Sequence, residues 1–277
     1  MNPMASPARP ILTSTANPRI RAAAALRDRR SRDRTGLTLV DGAREVRRAI
    51  EGRAVVEEAF VCEPLLSGVD ARAVLDLLAA REIPVQSVNQ PVFERIAFGD
   101  RAEGIVAVTR IPSLALADLT LPQDPLVVVI EGVEKPGNVG AVLRSADGAG
   151  ADAVVAADPR TDLFNPNAIR ASAGTMFSVP VAAGASPAVL SWLRAAGVRI
   201  VSARVDAERL YTEADLTGAV AIVLGAEADG LTGAWSGPDL EAVRLPMLGV
   251  ADSLNVSVSA AILLYEARRQ RGVDVPS

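Results

Sequence analysis

The chain predicts an α/β protein in which a small three-layer α/β domain precedes a larger domain built on a parallel sheet. Three observations carry that expectation. The segments Leu126–Ile130, Ala153–Ala156 and Ala219–Leu224 are apolar at every position, which suits strands buried on both faces. Segments of helical period separate them, as parallel neighbours require. Between two such stretches lies "RIPSLALADLTLPQDP", Arg110–Pro125, whose three prolines read as a packed linker. The expected boundaries are a first domain over 1–111, a linker over 112–125 and a second domain over 126–277.

In the first domain, a helix is expected at Ile20–Arg30, then a strand at Leu37–Val40, a helix at Ala43–Glu51 and a strand at Val55–Cys62. A helix at Ala71–Arg81, a strand at Pro84–Val88, a short helix at Pro91–Ile96 and a strand at Ile105–Thr109 complete it. In the second, strands at Leu126–Ile130, Ala153–Ala156, Val179–Val181, Val198–Ser202 and Ala219–Leu224 alternate with helices at Val139–Gly148, Pro187–Ala196 and Val256–Arg271. Ligands are expected at the carboxyl ends of these strands.

Composition narrows the chemistry. The 277 residues are 49% hydrophobic and 22% charged, enough for a full core. No run approaches the ~18 apolar residues of a membrane span, and the first twenty residues have no apolar signal core, so a cytoplasmic protein is expected. Histidine is absent, which removes Ser-His-Asp hydrolysis, His-bearing zinc sites and the usual base at neutral pH. No metal site is expected. The single Cys62 lies in an apolar strand and reads as packing. Net charge is −4, yet Met1–Arg53 holds 12 arginines against 5 acids. The run "NPRIRAAAALRDRRSRDR" is either a solvated helix face or a stripe that neutralises nucleic-acid phosphates, with Arg21, Arg29, Arg30, Arg32 and Arg34 as its contacts.

Three loops carry the remaining polar signal. "EKPGNVGAVLRSADGAGAD" follows the first strand of the second domain, and its Asn138 is placed to cap the helix that bears Arg144. It has neither Gly-x-Gly-x-x-Gly nor a P-loop, so nucleotide phosphate is not its expected ligand. "VLGAEADGLT" sets Glu227 at the end of an apolar strand, and "LPMLGVADSLNV" sets Ser253 and Asn255 in the turn before the last helix. Taken singly, each reads equally well as turn or cap chemistry.

Together these loops resemble the three ordered motifs of the SpoU (TrmH) family of RNA ribose 2′-O-methyltransferases. They stand here as Asn138-Val-Gly140-Ala-Val-Leu-Arg144, Gly225-Ala-Glu227-Ala-Asp-Gly230, and Pro246-Met247 leading to Ser253-Leu254-Asn255-Val256. "RASAGTMFSVPV", Arg170–Val181, is similar to the family's segment between the first two motifs. "LVDGAREVRRAIEGRAVVEEAFVCEP" and "NQPVFERIAFGDRAEGIVAV" resemble the ribosomal-protein-like substrate-binding domain of the rRNA-modifying branch.

The resemblance implies a SPOUT-type trefoil-knotted methyltransferase domain, S-adenosylmethionine as cofactor, 23S rRNA as substrate and an obligate homodimer joined through the last helix. It extends to actinomycete enzymes that protect ribosomes from antibiotics of the avilamycin or thiostrepton type. On this reading Leu224, Gly225, Leu245, Met247 and Leu254 hold the adenosyl part of the cofactor, Ser172 and Gly174 border the methionine part, and Ala226, Gly230 and Ser253 complete the cofactor-binding set. Asn138, Arg144, Glu227, Ser253 and Asn255 form the catalytic set. Arg144 takes the family's place for removing the hydroxyl proton, by abstraction or by positioning, since a free guanidinium has a pKa above ~12. A tRNA substrate and a non-catalytic RNA-binding role are the alternatives, and a dinucleotide oxidoreductase lacks its glycine fingerprint.

Overall fold

The computed structural model describes residues 10–52, 54–66, 69–98, 103–226 and 229–272. In chain order the helices and strands are α1 (Pro18–Ala25), α2 (Arg29–Thr35), β1 (Leu37–Asp41), α3 (Ala43–Glu51), β2 (Val56–Val61), α4 (Asp70–Ala80), β3 (Val85–Ser87), α5 (Gln90–Ile96) and β4 (Ile105–Arg110). Then follow β5 (Leu126–Glu131), α6 (Pro136–Gly148), β6 (Ala153–Ala157), α7 (Pro166–Ala171), β7 (Val181–Gly184), α8 (Ser186–Ala195), β8 (Arg199–Ala203), β9 (Val220–Leu224), β10 (Glu241–Val243) and α9 (Val256–Arg271). No described helix is long and apolar enough to cross a membrane.

The chain divides into two compact units. One comprises Met1–Pro112 with Phe164–Phe177, and the other Ser113–Leu163 with Ser178–Ser277. The first carries a four-stranded sheet ordered β1-β4-β2-β3, in which β4 runs antiparallel to both neighbours and β2 pairs parallel with β3. Ile20, Leu39, Phe60, Phe93 and Val106 are fully buried in its core. Three hydrogen bonds tie the late segment 164–177 into this unit. Thr38 Oγ1 donates to the Phe164 carbonyl at 2.7 Å, Arg48 Nη1 to Ala173 at 2.8 Å and Arg170 Nη1 to Phe98 at 2.7 Å.

The arginine-rich run is two helices, not the one expected over Ile20–Arg30. Asp28 accepts from the Ser31 N–H at 3.3 Å and so caps α2, and Gly36 closes it at φ 67°. Arg32 corrects the surface reading, because only 1% of it is exposed. Its Nη1 donates to the carbonyls of Leu26 at 2.8 Å and Arg27 at 3.0 Å, satisfying groups left open where α1 ends. Arg21, Arg29, Arg30 and Arg34 are exposed.

The second unit is a six-stranded, wholly parallel sheet ordered β10-β8-β9-β5-β6-β7. Every residue of β5, β6 and β9 is buried, as apolar strands covered on both faces should be. β7 starts two residues later than expected, at Val181, because Pro180 has no N–H for the ladder and offers only its carbonyl, to the Val154 N–H at 2.9 Å. Arg268 near the end of α9 donates to the carbonyls of Ala149 and Gly150, fixing α9 beside the end of α6.

Within the first unit, Asp41 ends β1 with 6% exposure, and its Oδ2 accepts from the Phe98 N–H at 2.5 Å. Burial pushes its pKa from 3.8 up to about 6, with Glu103 and Glu45 adding to the rise against the Phe98 hydrogen bond and Arg170. Between those two values the folded chain binds more protons than the unfolded one, so the protonated carboxyl's stability is lost as pH rises through that window. Asp41→Asn keeps an acceptor for Phe98. It is expected to raise the melting temperature by several degrees at about pH 7.5 and to leave it nearly unchanged at about pH 4. Equal shifts at both values, by scanning calorimetry, would contradict the burial account.

Candidate functional site

In the sheet β6 and β7 lie on one side of β5 and β9, β8 and β10 on the other, and the chain leaves β5 toward β6 but leaves β9 toward β10. The order therefore turns back between β5 and β9, and a crevice opens beyond their carboxyl ends. Two of the motif loops leave the sheet at that place. The first begins at Gly132, whose φ of 64° is left-handed, and the second at Gly225. At Gly225 a Cβ would lie 2.2 Å from the Gly230 carbonyl carbon, so only glycine lets the loop fold this tightly. The Gly230 N–H closes the turn on the Ala226 carbonyl at 2.9 Å.

Helix α6 starts earlier than expected, with Pro136 in its first turn and Lys135 as an N-cap that makes no side-chain cap bond. Asn138 is thus inside the first turn and does not cap the helix. Its Oδ1 accepts instead from Asn255 Nδ2 at 3.3 Å. Asn255 caps α9, its own Oδ1 accepting from the Ser257 N–H at 2.9 Å and from Ser257 Oγ at 2.6 Å. One amide therefore starts the last helix and joins the third loop to the first.

Two cavities flank this junction. The smaller, of about 350 Å³, is lined by Glu134, Lys135, Asn138, Arg160 and Asp229 among others. The larger, of about 600 Å³, has Leu224, Gly225, Gly230, Leu245, Met247 and Leu254 in its lining, together with Ser253. Ala226, Asp229 and Val256 line both. Arg144 is exposed and lines neither. Glu227 lies outside the described residues.

Ser172 and Gly174 line neither cavity and belong to the first unit. Ser172 is fully buried, its Oγ donating to the Ile169 carbonyl at 2.7 Å and accepting from the Gly174 N–H at 3.1 Å. A Cβ on Gly174 would meet the Glu45 Cα at 3.1 Å. The smallness of Gly174 thus serves packing against α3.

Two polar residues at this edge escape motif reading. Glu131, 2% exposed, accepts from Ser186 Oγ, Thr232 Oγ1 and the Thr232 N–H, each at 2.7 Å. It anchors the chain just after the second loop, and its signal in the sequence is one acid ending an otherwise apolar strand. Arg160, past β6, donates through Nη1 to Glu134 Oε1 at 2.8 Å and Asp229 Oδ2 at 3.0 Å. These hydrogen bonds, Glu134 first, hold its pKa above the ordinary arginine value. Among the described residues no cluster of acids and Cys62 has the makings of a metal site.

The model of the SpoU rRNA Methylase family matches residues 125–265, and that of the MRM3-like substrate binding domain matches 17–107. The 23S rRNA (guanosine(2553)-2′-O)-methyltransferase RlmP of Bacillus subtilis (strain 168) is 29% identical over 257 residues, covering 93% of this chain and 98% of its own. The 23S rRNA (uridine(2479)-2′-O)-methyltransferase of Streptomyces viridochromogenes is 32% identical, with 90% and 88% covered. The crystal structure of an AdoMet-bound rRNA methyltransferase from Sinorhizobium meliloti aligns with a TM-score of 0.84 at 28% identity, covering 94% of this chain and 97% of that one.

The glycine constraint gives a direct test. Gly225→Ala is expected to weaken binding of S-adenosylmethionine by about tenfold or more, a loss of ~1.4 kcal/mol or greater. Gly233→Ala, where an added Cβ meets nothing within 4 Å, is expected to leave it unchanged. Equal affinities by calorimetric titration would remove the second loop from the binding site.

Proposed function

This chain belongs to the SpoU rRNA Methylase family, and from that premise we propose that it transfers the methyl group of S-adenosylmethionine to the ribose 2′-hydroxyl of one nucleotide in 23S rRNA. The observation that carries the proposal is the Asn138–Asn255 hydrogen bond beside the larger cavity, which brings the first and third motifs to one place.

The cavity's chemistry fits that cofactor. Leu224, Leu245, Met247 and Leu254 offer apolar surface to an adenine ring, and Asp252 offers a carboxylate to a cationic sulfonium or ammonium, whereas Asp206 and Asp229 already pair with Arg204 and Arg160. When bound, S-adenosylmethionine would supply an electrophilic methyl carbon, which would pass to the ribose oxygen as the C–S bond breaks, leaving the electron pair on a neutral thioether sulfur and the hydroxyl proton to solvent water. Asn138 and Asn255 orient the sugar and the methionine end. Ser253 contributes a further hydrogen-bonding group to the wall, and Glu227 braces the second loop.

Arg144 lies six residues beyond Asn138, about 9 Å along α6 and roughly 240° around it, so it faces away from its own chain's cavities. It therefore serves the site of a second copy, orienting the hydroxyl and the adjoining phosphate electrostatically as the proton leaves. The exposed apolar side chains of Leu248, Val250, Val258 and Tyr265, on α9 and the loop before it, support a homodimer through this face. The return of the chain from the edge strand β10 to α9, packed on α6 and β9, supports a trefoil knot in the segment from Leu245 onward. In the first unit, exposed Arg21, Arg29, Arg30 and Arg34 support an RNA-binding face that chooses the nucleotide. A ribosomal RNA substrate supports a cytoplasmic location.

Purified protein, labelled S-adenosylmethionine and unmodified 23S rRNA are expected to yield a single 2′-O-methylnucleoside, located by reverse-transcriptase stops at low dNTP. A base-methylated product, or none, would overturn the proposal. Separately, mixed Arg144→Ala and Asn255→Ala chains are expected to regain about a quarter of wild-type activity, since half the dimers pair unlike chains and each of those has one intact site. Mixtures as inactive as either parent would place both residues in one chain's site.

A further inference from the structure

Resting on the RNA-methyltransferase reading above, we propose that Arg160 is a substrate-positioning residue that binds a phosphate beside the target nucleotide, and that Glu134 hands it over when RNA arrives. Arg160 stands at the smaller cavity together with Asn138 and Lys135. Its Nη1 alone carries both carboxylates, Glu134 Oε1 at 2.8 Å and Asp229 Oδ2 at 3.0 Å. Among the described residues, no hydrogen bond engages its Nε or Nη2. The three side chains are 53%, 64% and 62% exposed. Exposed ion pairs of this kind contribute little to stability, so exchanging one carboxylate for a phosphate oxygen costs little. A guanidinium fork with two nitrogens uncommitted among the described residues matches the paired oxygens of a phosphodiester. The placement is also apt, because the carboxylates belong to the first and second motif loops and keep the arginine at the cavity that contains Asn138.

The alternative role is a brace joining the two loops, and the two roles differ in sign at Glu134. If Glu134 competes with phosphate, its removal frees Arg160 and strengthens RNA binding. If the ion pair braces the loops, removing either partner damages the site in the same way. The test uses the full-length protein, transcribed 23S rRNA and S-adenosylmethionine, with RNA affinity measured across a salt series. Arg160→Ala is expected to weaken RNA binding roughly tenfold and to lower the salt slope by about one unit, with S-adenosylmethionine affinity held within about twofold. Arg160→Lys is expected to keep the slope and restore part of the affinity. Glu134→Gln is expected to tighten RNA binding by roughly two- to fivefold. A weakened Glu134→Gln, an unchanged salt slope in Arg160→Ala, or a matching loss of S-adenosylmethionine affinity would overturn the assignment. Wild-type protein that binds no RNA would overturn the underlying function as well, whereas normal RNA binding that ignores Arg160 would overturn this inference alone.

Discussion

The reversal of strand order between β5 and β9 is the constraint on which the functional end of the second unit depends. Because neighbouring connections leave that place in opposite directions, the chain cannot fill the space above the two strand ends, and loops must line it. The strands themselves are fully buried, so they hold the loop origins rigidly. Glu131, buried at the end of β5 and fully engaged by Ser186 and Thr232, carries that rigidity into the second loop. A buried carboxylate is tolerated only with such partners, which explains why an acid can end an otherwise apolar strand.

The absence of histidine then shapes what the crevice can do. Without an imidazole, the groups lining the crevice are amides, hydroxyls, carboxylates, guanidiniums and the Lys135 ammonium, which orient and polarise more readily than they shuttle protons. A reaction with a good leaving group on an activated carbon needs little else. The amide pair Asn138–Asn255 suits that division of labour, since each amide can donate and accept at once.

Much of this was legible in the sequence because burial on both faces leaves a plain apolar pattern. β5, β6 and β9, and helices α3 and α9, lie within a residue of their expected limits. What escaped is short or locally ambiguous. The three-residue edge strand β10 carries no periodicity, and α7 is a six-residue helix that packs with the first unit despite its place between β6 and β7. An arginine among arginines gives no sign that it turns inward, and only its bonds to Leu26 and Arg27 set Arg32 apart from its neighbours. Small residues are equally ambiguous: Gly225 is required by a tight turn at the cavity, whereas Gly174 is required by packing against α3. Arg160 left no pattern at all, because its partners lie in two other loops.

The most direct measurement is a crystal structure of the protein grown with S-adenosylmethionine. The account predicts density for the cofactor in the cavity lined by Leu224, Gly225, Leu245, Met247 and Leu254, with its methyl group toward Asn138. Density at any other place in the chain, or a cofactor whose methyl group points away from the Asn138–Asn255 pair, would contradict it.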